Sequence, residues 1–201
     1  MQVRVMAWLV FAVAVAGVGA CASRNGAALR ELRTLAKADR EARTPPHEPD
    51  PAVDEVRQQR VLALLAAGEV REPEAQEDAA LVLQHSGLTI CGDKLTAVSR
   101  DNYLLAHLLA KAAAERGRRS ARLLAADALD RWLVFSGKPQ KYGTQTVFDP
   151  RTNRMVVPPV DSATTDAERA RWGVEPLAMF LKRYHDENPD SADTAAPRRR
   201  R

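Results

Sequence analysis

The chain predicts a mainly α fold: an irregular helical bundle that contains an antiparallel helix hairpin and one small β-hairpin. Three observations carry this. Aromatic residues are only 5% of the chain while Ala, Leu and Arg abound, a composition that suits packed helices better than sheets. Apolar residues recur at spacings of three and four through most of the sequence, the period of a one-sided helix. Gly and Pro fall at the ends of those periodic segments, where they start or stop helices.

The first twenty residues stand apart. Arg4 leads into an uncharged apolar run from Val5 to Val18, and small residues precede Cys21 in Val18-Gly19-Ala20-Cys21. This arrangement resembles the export signal of bacterial lipoproteins. The resemblance implies cleavage ahead of Cys21, which then carries a thioether-linked diacylglycerol and an amide-linked acyl chain of the palmitate type. Several buried chains anchor durably where one binds only marginally. Ala22 and Ser23 follow with no Asp, so an outer membrane facing the periplasm is the expected destination where the organism has one. Two other readings stay open. One is an ordinary cleaved signal, the other an uncleaved membrane helix, since Val5 to Ala22 makes 18 uncharged residues, the minimum for a span.

Removing residues 1–20 leaves 181, enough for one domain with a real core. With Cys21 taken by lipid, Cys91 is the only other cysteine, so no intramolecular disulfide is expected. The net charge of +4 falls to +3 without Arg4, too slight to imply a polyanionic partner. Nucleic acid is not expected for an exported chain.

Residues 21–51 read as a short tether, a helix and a Pro-rich linker. Leu29, Leu32, Leu35 and Ala36 form one apolar stripe on a helix ending near Arg43, and four prolines in Thr44 to Pro51 make an extended connector. If that stripe were exposed, it would favour a scaffold role in a larger assembly. A single helical domain is expected over 52–185. Val53, Val56, Val61, Leu64 and Leu65 mark its first helix, stopped at Gly68. Pro73 opens the next, which runs to Gln84, with Glu72, Glu74, Glu77 and Asp78 at the positive end of its dipole.

The centre is the most regular part. Asp101 to Arg116 carries Leu104, Leu105, Leu108, Leu109 and Ala112. Gly117 stops it, and Ser120 is placed to cap a second helix, Ala121 to Ser136, which ends at Gly137. The stretch LAHLLAKAAAERGRRSARLLAADALD resembles one unit of Sel1-type or tetratricopeptide-like helical repeats. No second copy recurs at a fixed period, and about three are needed for a stable array. A helix hairpin inside a bundle follows, not a solenoid.

Beyond Gly137, Thr144 to Phe148 and Arg154 to Val157 are β-prone and flank the turn-like Asp149-Pro150-Arg151-Thr152-Asn153, which predicts the β-hairpin. Thr165 with Glu168 forms a capping box for a helix closing at Gly173, and Pro176 opens a last one reaching Tyr184. Residues 186–201 are polar, contain Pro and end in four arginines. They read as a disordered basic tail.

The strongest internal signal is Gly137-Lys138-Pro139-Gln140-Lys141-Tyr142-Gly143-Thr144-Gln145, preceded by Asp130-Arg131 and, upstream, by Leu83-Gln84-His85. It resembles an uncharacterised bacterial domain family, many members secreted or envelope-bound, with the signature D-R-x5-G-x-P-Q-x-Y-G-T-Q followed by R-x-x-x-G-L-x-P-L. The second part is Arg169 to Leu177 here, with Val174 in place of Leu. The likeness spans about Val61 to Tyr184. It carries no assigned catalytic or binding residue, so none is transferred.

From the residues themselves, Gln140, Tyr142, Thr144 and Gln145 offer amide and hydroxyl groups along a backbone path set by two glycines and a proline. Such groups suit hydrogen-bonded recognition and make poor acids, bases or nucleophiles. They serve equally well to satisfy loop backbone groups and lock the junction between helix and hairpin. Asp127, Asp130 and Arg131 share the one polar seam of an otherwise apolar helix. Asp127 and Arg131 are spaced to pair, and Asp130 or Arg131 can reach the Gln-rich loop. The candidate contact site is therefore Gln140, Tyr142, Thr144 and Gln145, backed by Asp130 and Arg131.

The expected function is a lipid-anchored envelope module that binds an envelope protein or cell-wall polymer, or serves structurally. The alternative is an envelope hydrolase or transferase with Asp127 or Asp130 as acid/base. No P-loop, GxSxG, GxGxxG, HExxH or paired CxxC is present, so no cofactor, metal or catalytic residue is assigned. His85 and His107, on predicted helices flanking Cys91, read as polar-face histidines around an inert thiol. The cluster of Lys111, Arg116, Arg118, Arg119 and Arg122 reads as a solvated run or a contact for anionic head groups or polymer.

Overall fold

The structure is a computed structural model and describes residues 26–189. The lipoprotein-like signal, Cys21 and the arginine-rich end lie outside these residues. The described chain is mainly helical, with two small antiparallel sheets. Helix α1 covers 26–42. It is followed by α2 (Pro51–Ala66), α3 (Pro73–Leu83), strands β1 (Leu88–Cys91) and β2 (Lys94–Ala97), then α4 (Arg100–Glu115) and α5 (Ala121–Phe135). Strands β3 (Val147–Asp149) and β4 (Arg154–Val156) and helices α6 (Asp166–Arg171) and α7 (Leu177–Glu187) complete it. No described helix is long and apolar enough to cross a membrane.

The expected helix hairpin is α4 against α5. Its contact is built from Ala106, Ala110 and Ala113 on one side and Ala121, Ala125 and Ala128 on the other, all fully buried. Side chains this small let two helix backbones approach closely and gain dispersion contact along their length. Ser120 does not cap α5, because its own backbone is helical (φ −60°, ψ −27°). Arg118 and Arg119 carbonyls accept from the Ala121 and Arg122 N–H groups instead, at 3.1 and 3.2 Å.

Helix α1 contributes Ala28, Leu32 and Ala36 to the same apolar core as α3, α4 and α5. Its stripe is thus covered, and the exposed patch that would have favoured a scaffold role is not formed there. The prolines that separate α1 from α2 make a turn rather than a long connector, and Pro51 is already the first residue of α2, capped by the Asp50 side chain.

The buried face of α2 differs from the expected one. Val53 and Val56 are 46% and 70% exposed, while Asp54, Arg57 and Gln58 are buried ahead of Val61 and Leu64. At 100° per residue, positions 54, 57, 58, 61 and 64 form one continuous stripe, so the inward face begins polar and ends apolar. The polar half joins a charge network. Asp39 on α1 accepts from Arg43 at 2.8 Å and lies 2.6 Å from His85 Nδ1, and Arg43 also reaches Asp54 at 2.5 Å. Arg57 donates to Asp54, and Gln58 donates to the His85 carbonyl at 3.1 Å. His85 therefore sits in the turn after α3, not on a helix, and serves to join three segments.

Two hairpins are present where one was expected. The additional one pairs Leu88 with Ala97 through Cys91 with Lys94, turning at Gly92-Asp93 with Gly92 at φ +62°. The expected one pairs Val147 with Val156 and Asp149 with Arg154. Its first strand starts three residues later than predicted, because Thr144 and Gln145 are held in the loop described below. Its turn is closed by Asp149, whose carboxylate accepts from Arg151 N at 3.0 Å and Thr152 Oγ1 at 2.9 Å. Strand β2 lies beside β3, bringing the two hairpins together over the end of α5. Helix α7 runs three residues past Tyr184, through Asp186, which pairs with Lys182 at 2.6 Å. The predicted disordered tail therefore begins inside this last turn of helix.

Asp39 carries the prediction for this part of the fold. Replacing it with Ala leaves Arg43 and His85 without their shared acceptor and removes the carboxylate 3.9 Å from Arg57 Nε, and is expected to cost about 3–5 kcal/mol of unfolding free energy. Urea denaturation at neutral pH measures this; a loss under about 1 kcal/mol would show that the network is not what holds α1 to α2.

Candidate functional site

Asp130 sits on α5 with no exposed surface. Five residues later the helix ends, Gly137 turns the chain, and the following loop folds back over the helix it has just left. That return brings backbone donors onto the carboxylate. Lys141 N and Tyr142 N donate to Oδ1 at 2.6 and 3.0 Å, and Thr144 N and Thr144 Oγ1 donate to Oδ2, both at 3.0 Å. A carboxylate so enclosed has its acceptor capacity used by the loop.

Gln140 performs the second half of the lock. It is fully buried, and its side-chain amide mimics a neighbouring strand for Gln145. Oε1 accepts from Gln145 N at 2.7 Å, while Nε2 donates to the Gln145 carbonyl and the Pro158 carbonyl, each at 3.1 Å. Its backbone forms a single parallel bridge with Val160, through Gln140 N to Pro159 O at 2.8 Å and Asp161 N to Gln140 O at 2.7 Å.

The second half of the sequence signature packs onto the first. Arg169, 3% exposed, donates from Nε to the Tyr142 carbonyl and from Nη1 to the Thr164 carbonyl, both at 2.8 Å. Val174 buries against Tyr142 and Ala126. Gly143 has φ +76°, and a Cβ there would lie 2.9 Å from Leu177 Cδ1 and 3.3 Å from both Val160 methyls. Only glycine meets both demands.

All six candidate residues therefore meet in one place. Asp130, Gln140 and Tyr142 face inward and are satisfied by the protein, so they position the loop rather than present themselves. Arg131 and Gln145 behave differently. The expected Asp127–Arg131 ion pair is not formed among the described residues. Arg131 donates instead from Nε to Gln145 Oε1 at 3.0 Å and from Nη1 to the Gln84 carbonyl at 2.7 Å, with its guanidinium 5.8 Å from the Tyr103 ring centroid. Both Arg131 and Gln145 line a cleft of about 250 Å³ between the two hairpins. Its walls are Leu88 and Leu95 from the first hairpin, Tyr103 and Phe135 from α4 and α5, and Val147, Phe148 and Met155 from the second hairpin. Sequence reasoning did not assign these apolar residues, although alternating apolar positions on strands flanking Gly92-Asp93 were a legible signal.

Asp127 and Thr144 line a second cleft of about 250 Å³ on another side of the loop, with Gly143, Phe180, Glu175 and Arg183. Burial pushes the Asp127 carboxyl up to about 6, while the Arg131 charge and a Thr144 hydrogen bond pull the other way.

The remaining candidates fall elsewhere. Cys91 is exposed on β1. His107 contacts the Ala125 carbonyl at 2.8 Å through Nδ1, and burial lowers its pKa. Within the basic cluster, Arg118 pairs with Glu77 and Glu74 at 2.5 and 3.4 Å, Arg116 with Glu72 at 3.9 Å and Lys111 with Glu115 at 3.8 Å. Much of that charge is answered by the acidic start of α3.

Asp130→Ala leaves three buried N–H groups and a hydroxyl without their acceptor. It is expected to destabilise by about 3–5 kcal/mol, on the order of 10 °C in Tm. Gln145→Ala keeps the backbone bonds and should cost only about 1–2 kcal/mol. Thermal unfolding of the two variants tests the order; equal or negligible losses would remove Asp130 as the organiser of the loop. In comparisons with known proteins, no family model, curated protein or solved structure matches this chain.

Proposed function

We propose that the protein is a lipid-anchored binding module of the cell envelope, held at the membrane through Cys21 and taking its ligand in the cleft between the two β-hairpins. The anchor rests on the sequence: a charged start, an uncharged apolar run and small residues immediately before Cys21. Binding rests on the cleft. Its largely apolar walls carry a few polar side chains, Arg131 and Gln145 with Ser86 and Thr146, the usual make-up of a site that buries a ligand's body and orients its polar end. On this reading the signature D-R-x5-G-x-P-Q-x-Y-G-T-Q describes a cleft floor: its Asp and first Gln fold the loop, and its Arg and last Gln face the ligand. An envelope protein segment, a cell-wall fragment or an envelope lipid are the partners such a location offers.

Intact mass of the protein purified from its membrane fraction is expected to correspond to a chain starting at Cys21 with diacylglycerol and a further acyl chain, and Cys21→Ser should release it from that fraction. An unmodified chain starting at Met1 or at another residue would overturn the anchor.

A second reading, an envelope hydrolase or transferase, is favoured by one observation: a carboxyl pushed to about 6 in the second cleft, that of Asp127. Such a group holds its proton in mildly acidic surroundings and releases it near neutrality, as a general acid/base must. Its folded pKa lies above the ordinary carboxylate value, so the native state binds the proton more tightly than the unfolded chain. The group is therefore neutral in its effect below about pH 4, and increasingly opposes folding as pH rises from there through about 6. Asp127→Asn is expected to raise stability at pH 7 by about 1–2 kcal/mol, allowing for partial exposure, and to leave it unchanged below pH 4. Carbon-13 NMR of the wild-type carboxyl should show a midpoint near 6; an ordinary carboxylate midpoint would remove the acid/base reading.

A further inference from the structure

The hairpin cleft holds a positive charge with no bonded countercharge. Among the described residues, Arg131 bonds only to neutral acceptors, the Gln145 amide oxygen and the Gln84 carbonyl, and its Nη2 has no hydrogen-bond partner. Among the described residues that line the cleft it is the only charged one. Burial lowers its pKa, while Tyr103 and Asp127, neither hydrogen-bonded to it, act in the other direction. A part-buried guanidinium fixed through Nε by Gln145 and through Nη1 by Gln84 keeps Nη2 for a further acceptor, and a carboxylate oxygen gives it a charge-assisted bond.

The rest of the cleft has the opposite character. A second cavity of about 420 Å³ shares the walls Leu95, Val134, Phe135, Val147 and Phe148 with the first and opens toward Asp93, Lys94 and Asp149. Together they make an apolar trough with Arg131 near one end and charged side chains at the other. An extended peptide would bring a backbone donor and acceptor per residue against that shared wall, where no side chain answers them. A hydrocarbon chain asks for no partner. One guanidinium also suits a monoanion better than a dianionic phosphate, which calls for several donors of positive charge.

We infer that the trough binds an amphiphile with a carboxylate head and a linear hydrocarbon body, in its simplest form a free fatty acid, the head on Arg131 and the chain along the wall formed by Leu95, Phe135 and Phe148. This rests on the reading of the hairpin cleft as the binding site. It gives that site a ligand class, and it gives Arg131 a role that its two neutral partners do not supply. Transfer or sequestration of released acyl chains at a membrane surface is a use that such a site fits.

The test uses the full-length protein in phospholipid nanodiscs and a ten-carbon fatty acid bearing a photoactivatable diazirine near its tail. Crosslinked peptides are mapped by mass spectrometry. Labels are expected in the segments containing Leu95 and Phe148. Unlabelled decanoate should compete at least about tenfold better than decanol or decylamine of the same length. Across shorter carboxylates, competition should strengthen about fourfold per added methylene until the trough is full. Arg131→Gln should bring decanoate down to the level of decanol while tail labelling by the matching alcohol probe stays in place. The head-group series on the wild-type protein decides the matter even where that variant fails to fold. Equal competition by decanoate and decanol at the trough would overturn the carboxylate assignment and leave the cleft as a binding site. Labels confined to other segments with both probes would overturn the amphiphile and count against the cleft itself.

Discussion

The loop that follows α5 has little reason to hold its shape except through the Asp130 carboxylate. It carries two glycines, its side chains are mostly polar, and it crosses apolar helix surface where unpaired N–H groups would be costly. Asp130 answers three of those groups and one hydroxyl from a single rigid position on a helix. Everything placed after the loop inherits that position. Gln140 can then bracket Gln145, Gln145 can accept from Arg131, and the Tyr142 carbonyl is presented to Arg169, which binds α6 to the structure. The second hairpin starts where the bracketed Gln145 leaves it, so the wall of the cleft is placed by a side chain that never reaches the cleft.

A second buried polar system does the same work at the other end. Asp39, Arg43, Asp54, Arg57 and His85 join α1, α2 and the turn after α3. The two systems complement an unusually alanine-rich core. Alanine contacts bring helices close but discriminate weakly among neighbouring registers, because one methyl resembles the next. Ion pairs and bracketed amides fit only one register. In this fold burial supplies the attraction and the polar groups supply the choice of arrangement.

The helices were legible because their signals are local. Apolar spacing, Pro73 at a first turn, and the Thr165 cap with Glu168 each depend on residues within one turn, and the structure keeps all three. What was misread depended on a distant partner. Apolarity alone extends the α2 stripe to Val53 and Val56, whereas the inward face begins with Asp54, Arg57 and Gln58, whose partners Arg43, Asp39 and His85 lie on other segments. The pairing of Asp127 with Arg131 followed from helix spacing alone, yet Arg131 finds Gln145 fourteen positions on, in a loop that the sequence cannot place. The Gln-rich segment stands out in the sequence, and both a contact use and a locking use are visible in its chemistry. Which of its side chains face inward is not, because Asp130 decides that from across the fold. The missed hairpin is different in kind. Its Gly92-Asp93 turn between β-prone strands was a local signal that the long helices on either side overshadowed.

Helix α1 is built into the core from residue 28 onward, and this bears on how the molecule would sit at a surface. Were Cys21 the point of attachment, only residues 22–25 would separate the lipid from helix, a reach of at most about 18 Å even if fully extended. The body would ride close against the head groups, with few orientations open to it. Any pull on such an anchor would then enter through α1 and load the Glu31–Arg60 and Arg33–Glu74 ion pairs before it reached the Asp39 cluster, making that ion-paired helix the force-bearing joint of the protein.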